Sequence, residues 1–413
     1  MDIPLKWHTL FHAFIRRLFF SRLTVTGGAN VPAKGPMLAL CLHRNGAVDA
    51  FLYRKALPQL NFMVKAELRK SLIGKLFFDG IEVTRKEDGG KHDNLEAIGD
   101  CLDLLANGGW LGIFPEGTSG LGPRHLPFRS GAARIALRHH DSGRPLTVLP
   151  LGIHYECAWG FRSRAEIVIG PPVVLDMPGA LVSPGARLLE VKKRFAAALE
   201  SVGTNFADAA AQELARKFAY ITTLGTSLGY FEALKAMERQ VPPDAVCVWE
   251  SLEANVRCRR VLRHQGVPLF PLRRSWAYVL AVLLAAPLVM AGLLVNVPPL
   301  AVAWWAGKRF PDDANVIALW RILTGVPVLV LWAAAWCAVG IAAGLWWLPP
   351  LYFALTWLAV SGWYRLKKLT VVAWNGLFHA DLRPLALAAH RAVLNSFETP
   401  SHKSPDLVKA AAA

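Results

Sequence analysis

Cysteine is scarce in this sequence, and charged residues of either sign are few. The six cysteines are scattered and form no C-x-x-C pair. Zinc sites and disulfide frameworks need paired or regularly spaced cysteines, so neither is indicated, and a reducing compartment is the simpler interpretation. Charged residues make up 18% of the chain, whereas hydrophobic residues make up 54%. The apolar excess is local, because much of it lies in long uncharged blocks.

Acidic residues are outnumbered, which leaves a strong positive charge. The chain has 46 lysines and arginines against 30 aspartates and glutamates, a formal net charge of +16. Such a balance favours a polyanionic partner, either nucleic acid or an anionic membrane surface. Nucleic-acid-binding segments often have aromatic residues placed between clustered basic ones, and the sequence shows no such motif. We therefore expect no nucleic-acid partner and favour membrane lipids.

The N-terminus lacks the features of a secretory signal, since charges interrupt its apolar run and no small-residue cleavage site follows. Trp7, Phe11 and Ile15 recur at helical spacing, while Arg16 lies toward another face. We assign residues 1–22 to an amphipathic helix in the lipid interface. The alternative is a helix packed on the domain that follows.

An α/β domain is predicted over residues 23–178, where short apolar runs alternate with amphipathic segments. Alternation of this kind indicates a sheet flanked by helices. The predicted strands are 23–26, 36–42, 61–64, 81–84, 110–114, 146–154 and 165–169. The predicted helices are 48–56, 67–77, 91–106 and 129–139.

After Pro178 the pattern becomes helical over 179–274, and a membrane-spanning region is predicted over 275–368, followed by a tail over 369–413. The membrane region holds three uncharged apolar blocks, 276–297, 322–347 and 351–364. About twenty apolar residues suffice to cross a bilayer, so the first two are spanning candidates and the third is short. The apolar blocks predict an integral membrane protein. By the positive-inside rule, the arginines before Trp276 place the preceding domain on the cytoplasmic side. The number of crossings stays open.

The stretch from Cys41 to Ala50 carries the first candidate for chemistry. It follows a predicted strand, and His43 and Asp49 are its close histidine–acid pair. A histidine oriented by a carboxylate is a minimal general base near neutral pH. Six positions along a helix would place the two on different faces, so they can meet only if His43 lies in the turn before the helix.

Three further stretches carry polar residues near predicted strand ends. Arg85 follows strand 81–84 and can present its planar guanidinium to a phosphate. Pro115 and Gly117 impose a tight turn that leaves Glu116 and Thr118 at the end of strand 110–114. The third comprises the helix start L126-P-F-R-S-G and the strand T147-V-L-P-L-G-I-H-Y.

Together these stretches resemble the glycerolipid acyltransferase family, which includes the lysophosphatidate and glycerol-3-phosphate acyltransferases. The resemblance covers about residues 24–175, and its four blocks occur in family order. They are H43-R-N-G-A-V-D, G80-I-E-V-T-R, F114-P-E-G-T and V148-L-P. The resemblance implies that His43 and Asp49 are catalytic and that Arg85 binds the acceptor phosphate. It further implies a substrate-binding role for Glu116, Gly117, Thr118 and Arg129.

Two departures from the common pattern bear on the acceptor. Five residues separate His43 from Asp49 where four are common, and the longer form resembles the fungal-type glycerol-3-phosphate/dihydroxyacetone-phosphate acyltransferases. Ser119 stands where the lysophosphatidate enzymes usually have arginine, so one phosphate contact is missing or comes from elsewhere, such as Arg124 or Arg129.

The resemblance implies a membrane-bound O-acyltransferase of phospholipid biosynthesis. Its donor would be an acyl thioester, acyl-CoA or acyl-carrier protein, used as a co-substrate without any metal or bound cofactor. The acceptor would be glycerol-3-phosphate or lysophosphatidate, and another lyso-lipid such as an amino-acid lipid is the alternative. Two other classes stay open. One is a catalytically idle membrane scaffold, and the other is a serine hydrolase that uses Ser227 of G225-T-S-L-G as a nucleophile elbow.

Overall fold

The protein is represented by a computed structural model that describes residues 7–83, 95–175, 183–272 and 275–398. The chain forms two compact units. The first comprises Met1–Asn205 and Ala301–Val328, and the second comprises Phe206–Leu300 and Leu329–Ala413. Neither unit follows the boundaries 23–178, 179–274 and 275–368 that the sequence predicts, because segments distant in sequence complete the core of the first unit.

A seven-stranded sheet forms the centre of the first unit. Its strands are β1 (Phe20–Thr26), β2 (Met37–Cys41), β3 (Leu60–Lys65), β4 (Ile81–Val83), β5 (Trp110–Ile113), β6 (Thr147–Tyr155) and β7 (Ser163–Ile169). The order across the sheet is β1-β7-β6-β2-β5-β3-β4. β6 and β7 are antiparallel, and the other neighbouring pairs are parallel. The predicted α/β class is confirmed, and each predicted strand corresponds to one of these strands.

Helices cover both faces of this sheet. They are α1 (Trp7–Phe19), α2 (Val48–Ala56), α3 (Leu72–Phe77), α4 (Leu95–Ala106), α5 (Gly131–Asp141) and α6 (Pro184–Val202). The predicted helix 67–77 is divided into a 3₁₀ turn at Ala66–Arg69 and α3. The division occurs because the Ser71 side chain accepts a hydrogen bond from the Gly74 amide and caps a new helix.

Strand β2 is buried on both faces, as expected for a parallel strand between two helical layers. Met37, Ala39 and Cys41 belong to the apolar core on one face. Leu38 and Leu40 belong to the core on the other face, which α4, α5 and α6 also supply. The alternation follows from the period of two along a strand.

Helix α1 packs on the domain through one face and exposes the other. Ile15 is fully buried, and the His12 Nε2 atom lies 2.8 Å from the Phe77 carbonyl oxygen. Trp7, Leu10 and Phe14 are exposed large apolar residues. The packed arrangement is therefore the one observed, and contact of the exposed face with lipid stays a prediction.

Two segments beyond residue 178 complete the first unit. Helix α6 buries Val191 and Phe195 against the sheet. Helices α11 (Val297–Arg309) and α12 (Ile317–Ala342) lie much later in the chain, yet Ala318, Ile322 and Val326 of α12 enter the core formed by α1, α2 and the sheet. The predicted domain over 23–178 is thus only part of this unit.

The second unit is helical. Helices α7 (Ala209–Gly225), α8 (Tyr230–Arg239), α9 (Pro243–Arg257) and α14 (Arg383–Glu398) share one apolar core. Helices α10 (Ser275–Leu294) and α13 (Leu348–Phe378) pack against each other. They are antiparallel, because Gly292 lies against Leu355 while Gly376 lies against Ser275.

Two stretches among the described residues are long and apolar enough to cross a membrane. They are Ser275–Leu294, with a mean hydropathy of 2.4, and Ala314–Ala342, with a mean hydropathy of 2.1. The third predicted block, 351–364, lies within α13. Length and composition are the evidence for these spans.

Candidate active site

The histidine and aspartate singled out in the sequence meet at the carboxyl end of β2. β2 ends at Cys41 and α2 begins at Val48, so His43 lies in the connecting loop and Asp49 in the first helical turn. The His43 Nδ1 atom lies 2.9 Å from the Asp49 Oδ2 atom. Because a carboxylate only accepts, the neutral His43 ring donates from Nδ1 and has Nε2 as its basic atom.

Asp49 is fully buried and held by four hydrogen bonds. Besides His43, its Oδ2 atom accepts bonds from the backbone amides of Arg44 (2.6 Å) and Asn45 (2.8 Å). A carboxylate near the start of a helix is also favoured by the helix dipole. Asp49 is therefore fixed in position, and through it the imidazole of His43 is oriented.

Tyr155 supplies the fourth bond, and nothing in the sequence connected it with the pair. Its hydroxyl lies 2.6 Å from the Asp49 Oδ1 atom and donates to it. Burial, followed by the charge of Asp49, raises the pKa of Tyr155 well above 10. The hydroxyl therefore stays protonated and remains a donor.

The turn after β5 lies beside His43 because β5 and β2 are parallel neighbours whose carboxyl ends meet at one edge. The Phe114 ring stacks on the His43 ring, with centroids 4.0 Å apart. The Glu116 Oε1 atom accepts a 3.1 Å hydrogen bond from the His43 backbone amide. The stretches H43-R-N-G-A-V-D and F114-P-E-G-T are thus in direct contact with each other.

Glu116 is buried, with only 2% of its surface exposed. Burial raises the pKa of its carboxyl group, and Arg44 and the backbone amide of His43 partly oppose that rise. In this arrangement Glu116 stabilises the loop that carries His43. Its contact with the acceptor stays a prediction.

Gly117 and Arg129 form the exposed side of the same turn. Gly117 has a φ of +76°, a left-handed conformation that favours glycine. A Cβ atom at this position would lie 2.7 Å from the Arg129 Nε atom, so the guanidinium lies directly over the glycine backbone. Thr118 is exposed next to them. The structure thus places Glu116, Gly117, Thr118 and Arg129 at one turn beside His43.

A second set of contacts fixes the loop that follows. The Arg44 side chain donates to the carbonyl oxygens of Gly120 and Gly122, and its Nη2 atom lies 2.9 Å from the His125 Nδ1 atom. The buried Asn315, which precedes α12, donates from its Nδ2 atom to the Ser119 carbonyl oxygen at 2.7 Å. Sequence reasoning missed Arg44 and Asn315, and Asn315 carries no motif signal.

Arg85 lies outside the described residues, so its predicted place in the site stays a prediction.

Ser227 lies in the connection between helices α7 and α8. A nucleophile elbow needs a strand, a sharp turn and then a helix, and this segment has no strand. The strand that a nucleophile elbow at Ser227 requires is therefore missing from this segment, and the serine-hydrolase alternative is wrong. Within the described ranges no cluster of three or more His, Cys, Asp or Glu side chains could hold a metal ion.

The arrangement is suited to removing a proton from a hydroxyl group. In this geometry His43 can act as a base, Asp49 can stabilise the imidazolium that forms, and Tyr155 with two backbone amides holds Asp49. Arg129 brings positive charge to the same edge of the sheet. Such a site fits transfer of a group to the hydroxyl of an anionic acceptor.

Comparison with known proteins assigns the class to this segment. Residues 22–154 match the family model described as Acyltransferase. The match begins within β1 and ends within β6, and it includes His43, Asp49 and the Glu116 turn. The first unit therefore carries an acyltransferase domain.

Several relatives are glycerolipid enzymes. Glycerol-3-phosphate O-acyltransferase 2 of Saccharomyces cerevisiae is 38% identical over 109 residues, which cover 26% of this chain and 14% of that protein. A 1-acyl-sn-glycerol-3-phosphate acyltransferase of Chlamydomonas reinhardtii is 24% identical over 156 residues, 36% of this chain and 46% of that protein. The chain thus spans less than half the length of these relatives.

A solved structure, the 1-acyl-sn-glycerophosphate acyltransferase PlsC of Thermotoga maritima, is 20% identical. The structural match covers 49% of this chain and 84% of the PlsC chain. Its TM-score is 0.34, a value too low to define a shared fold. The matched domain and these relatives make residues 22–154 similar to glycerolipid acyltransferases.

Proposed function

We propose that this protein transfers a fatty acyl group from an acyl thioester to a hydroxyl of a phosphorylated glycerol acceptor. The observation that carries the proposal is the His43–Asp49 pair, whose carboxylate is fully buried and whose imidazole is oriented through Nδ1. Acyl-CoA or acyl-carrier protein is the donor, and glycerol-3-phosphate or lysophosphatidate is the acceptor.

In the proposed reaction the His43 Nε2 atom removes the hydroxyl proton as the acceptor oxygen attacks the thioester carbonyl carbon. A C–O bond forms and a tetrahedral oxyanion results. When the carbonyl re-forms, the C–S bond breaks and the thiolate leaves. The imidazolium of His43 returns the proton to the leaving sulfur, so no covalent enzyme intermediate is needed.

The phosphate of the acceptor would be held by arginine, whose planar donors match phosphate oxygens. Arg129 lies at the turn beside His43, and it is the described arginine best placed for this role. Arg85 is the second candidate. Thr118 would contact the glycerol portion, as the family resemblance implies.

We also propose that the protein is membrane-bound, with its catalytic unit on the cytoplasmic side. The apolar helix α10 and the basic residues that precede it in sequence support this proposal. The first unit adds an apolar surface made by α1 and α3, whose Trp7 Nε1 atom donates to the Leu76 carbonyl oxygen. Leu72 on this surface is 76% exposed. Acyl chains and product belong in a bilayer, so such a surface fits the reaction.

The experiment uses the full chain, purified in detergent and given labelled acyl-CoA with glycerol-3-phosphate and lysophosphatidate in parallel. His43→Ala tests the base. His140→Ala, at the opposite end of α5 from Arg129, is the matched control. We expect labelled product from one acceptor, loss of that product in His43→Ala and a normal rate in His140→Ala.

Slow thioester loss that is equal in the wild type and His43→Ala, without acylated product, would overturn the proposal and favour the scaffold alternative. An amino-acid lyso-lipid is offered as a third acceptor, and product from it alone would retain the chemistry and replace the proposed acceptor.

A further inference from the structure

A cavity in the second unit is not part of the site around His43. It lies between α10, α13 and the segment that contains Arg263. Its volume is about 550 Å³, within the span of about 300–1,000 Å³ that is common for small-molecule sites. A cavity of this size can hold a small molecule or part of a lipid.

One wall of the cavity is apolar and comes from two antiparallel helices. Val282, Ala286 and Met290 recur every four residues along α10 and so line one face of that helix. Trp363 and Leu366 face them from α13. Since α10 is one of the two stretches apolar enough to enter a bilayer, this wall can extend an apolar path from the lipid.

The other end of the cavity is polar and cationic. Arg263 and Lys367 line it together with Gln265, and none of the lining residues is a carboxylate. The Arg263 guanidinium is oriented by two 2.7 Å bonds to Glu253. The Lys367 ammonium lies 5.5 Å from the centre of the Trp363 ring, a cation–π position. Lys367 therefore adds a second basic side chain to this end of the cavity.

We propose that this cavity binds one anionic phospholipid. The phosphate would lie at Lys367 and the polar edge of Arg263, and an acyl chain would follow Val282, Ala286 and Met290 along α10. Basic pockets between apolar helices recognise anionic lipid headgroups in this way. The inference rests on the proposed membrane association, since the lipid has to reach the groove from a bilayer.

Free phosphate is the other source of the same headgroup chemistry. It would use the cationic end and leave the apolar wall of α10 and α13 without a role. The combination of a cationic end with an apolar wall therefore favours the lipid, and the experiment separates the two sources.

The experiment measures lipid retention by the full chain in a zwitterionic detergent, by native mass spectrometry. The probes are dioleoyl phosphatidic acid, dioleoyl phosphatidylcholine and inorganic phosphate. Lys367→Gln removes the cation, and Ala286→Phe fills the apolar wall. Arg365→Gln is the matched control, because Arg365 lies on the same helix, is exposed and does not line the cavity.

We expect the wild type and Arg365→Gln to retain one molecule of phosphatidic acid in preference to phosphatidylcholine. Lys367→Gln should bind it about tenfold more weakly, the change expected for loss of one charge-assisted contact worth about 1.4 kcal/mol. Ala286→Phe should lose retention while inorganic phosphate fails to compete.

Equal loss in Lys367→Gln and Arg365→Gln would overturn the proposal, because the lipid would then respond to surface charge alone. Competition by inorganic phosphate would overturn it in favour of a phosphate site. The acyl-transfer assay is a separate readout. Lipid retention by a protein without transferase activity would refute the proposed function and leave the lipid site standing. Transferase activity in a protein that retains no lipid would refute the lipid site and leave the proposed function standing.

Discussion

Replacing Tyr155 with phenylalanine tests how the buried Asp49 carboxylate is held. The substitution removes one hydroxyl, and with it the donor 2.6 Å from the Asp49 Oδ1 atom. The aromatic ring stays, so apolar packing is preserved. Asp49 is fully buried, and bulk water does not replace the lost donor.

The expected loss of stability follows from the charge of the acceptor. A hydrogen bond to a charged group contributes about 1.5–3 kcal/mol, against about 0.5–1.5 kcal/mol for a neutral pair. Tyr53→Phe is the matched control, because the buried Tyr53 hydroxyl donates to the neutral carbonyl oxygens of Leu42 and Leu151. We therefore expect Tyr155→Phe to lower the free energy of unfolding more than Tyr53→Phe does.

The expected loss of activity is smaller than for the carboxylate itself. In Tyr155→Phe the Asp49 Oδ2 atom keeps its bonds from His43 and two backbone amides, so we expect a rate loss of no more than about tenfold. Asp49→Asn removes the charge that stabilises the imidazolium and should cost roughly 10³–10⁴-fold, as in other histidine–aspartate pairs.

Denaturant titrations and initial rates in the same detergent give both quantities. If Tyr155→Phe unfolded like the wild type, the bond to Asp49 would carry no energy and the reasoning would fail. A folded Tyr155→Phe protein as inactive as Asp49→Asn would instead give the hydroxyl a direct part in the chemistry.

Three further predictions concern residues around the same unit. Burial lowers the pKa of His12 from 6.5 to about 3. As pH falls below about 6.5, the unfolded chain therefore binds a proton at His12 before the folded chain does. The free energy of unfolding should then drop by about 1.4 kcal/mol per pH unit toward pH 3. Denaturant titrations of His12→Asn should show a flatter dependence on pH. Gly117→Ala should cost about 1–2 kcal/mol in denaturant titrations, because an alanine is strained in the left-handed conformation, and should raise the acceptor KM by displacing Arg129. Asn315→Ala should lower kcat/KM in the acyl-transfer assay, since the Ser119 carbonyl loses its donor, and Asn315→Gln should restore part of it.

Each of these predictions has an opposing result. An unchanged pH slope in His12→Asn would show that His12 is not the group that titrates. A Gly117→Ala protein with normal stability and normal acceptor KM would contradict the close approach of Arg129. Equal kinetics in Asn315→Ala and the wild type would show that Asn315 does not position the Ser119 loop.

The central sheet was predictable because its strands are short apolar runs that end in turn-forming residues. His43 and Glu116 were each expected at a strand end, and the structure shows that these strands, β2 and β5, are parallel neighbours. The His43–Asp49 contact was predictable only as a condition on where the helix begins. The start of α2 at Val48 meets that condition.

The rest of the site depends on contacts between residues distant in sequence. Tyr155 lies 106 positions from Asp49, and Asn315 lies 196 positions from Ser119. Neither residue belongs to a local pattern, so only the fold reveals its role. The periodicity of α1 likewise predicts an apolar face but does not distinguish packing on protein from packing on lipid.

The core of the first unit is completed by residues made late in synthesis. Ala318, Ile322 and Val326 of α12 fill space beside the sheet, and Asn315 reaches the Ser119 loop, yet all four follow α10 in the chain. Domains fold as the chain emerges, N-terminal parts first. The apolar helix α10 therefore leaves the ribosome while the catalytic core is still incomplete. If α10 enters a bilayer as proposed, its delivery there would precede completion of this core, and a fragment ending at residue 205 would lack these four contacts.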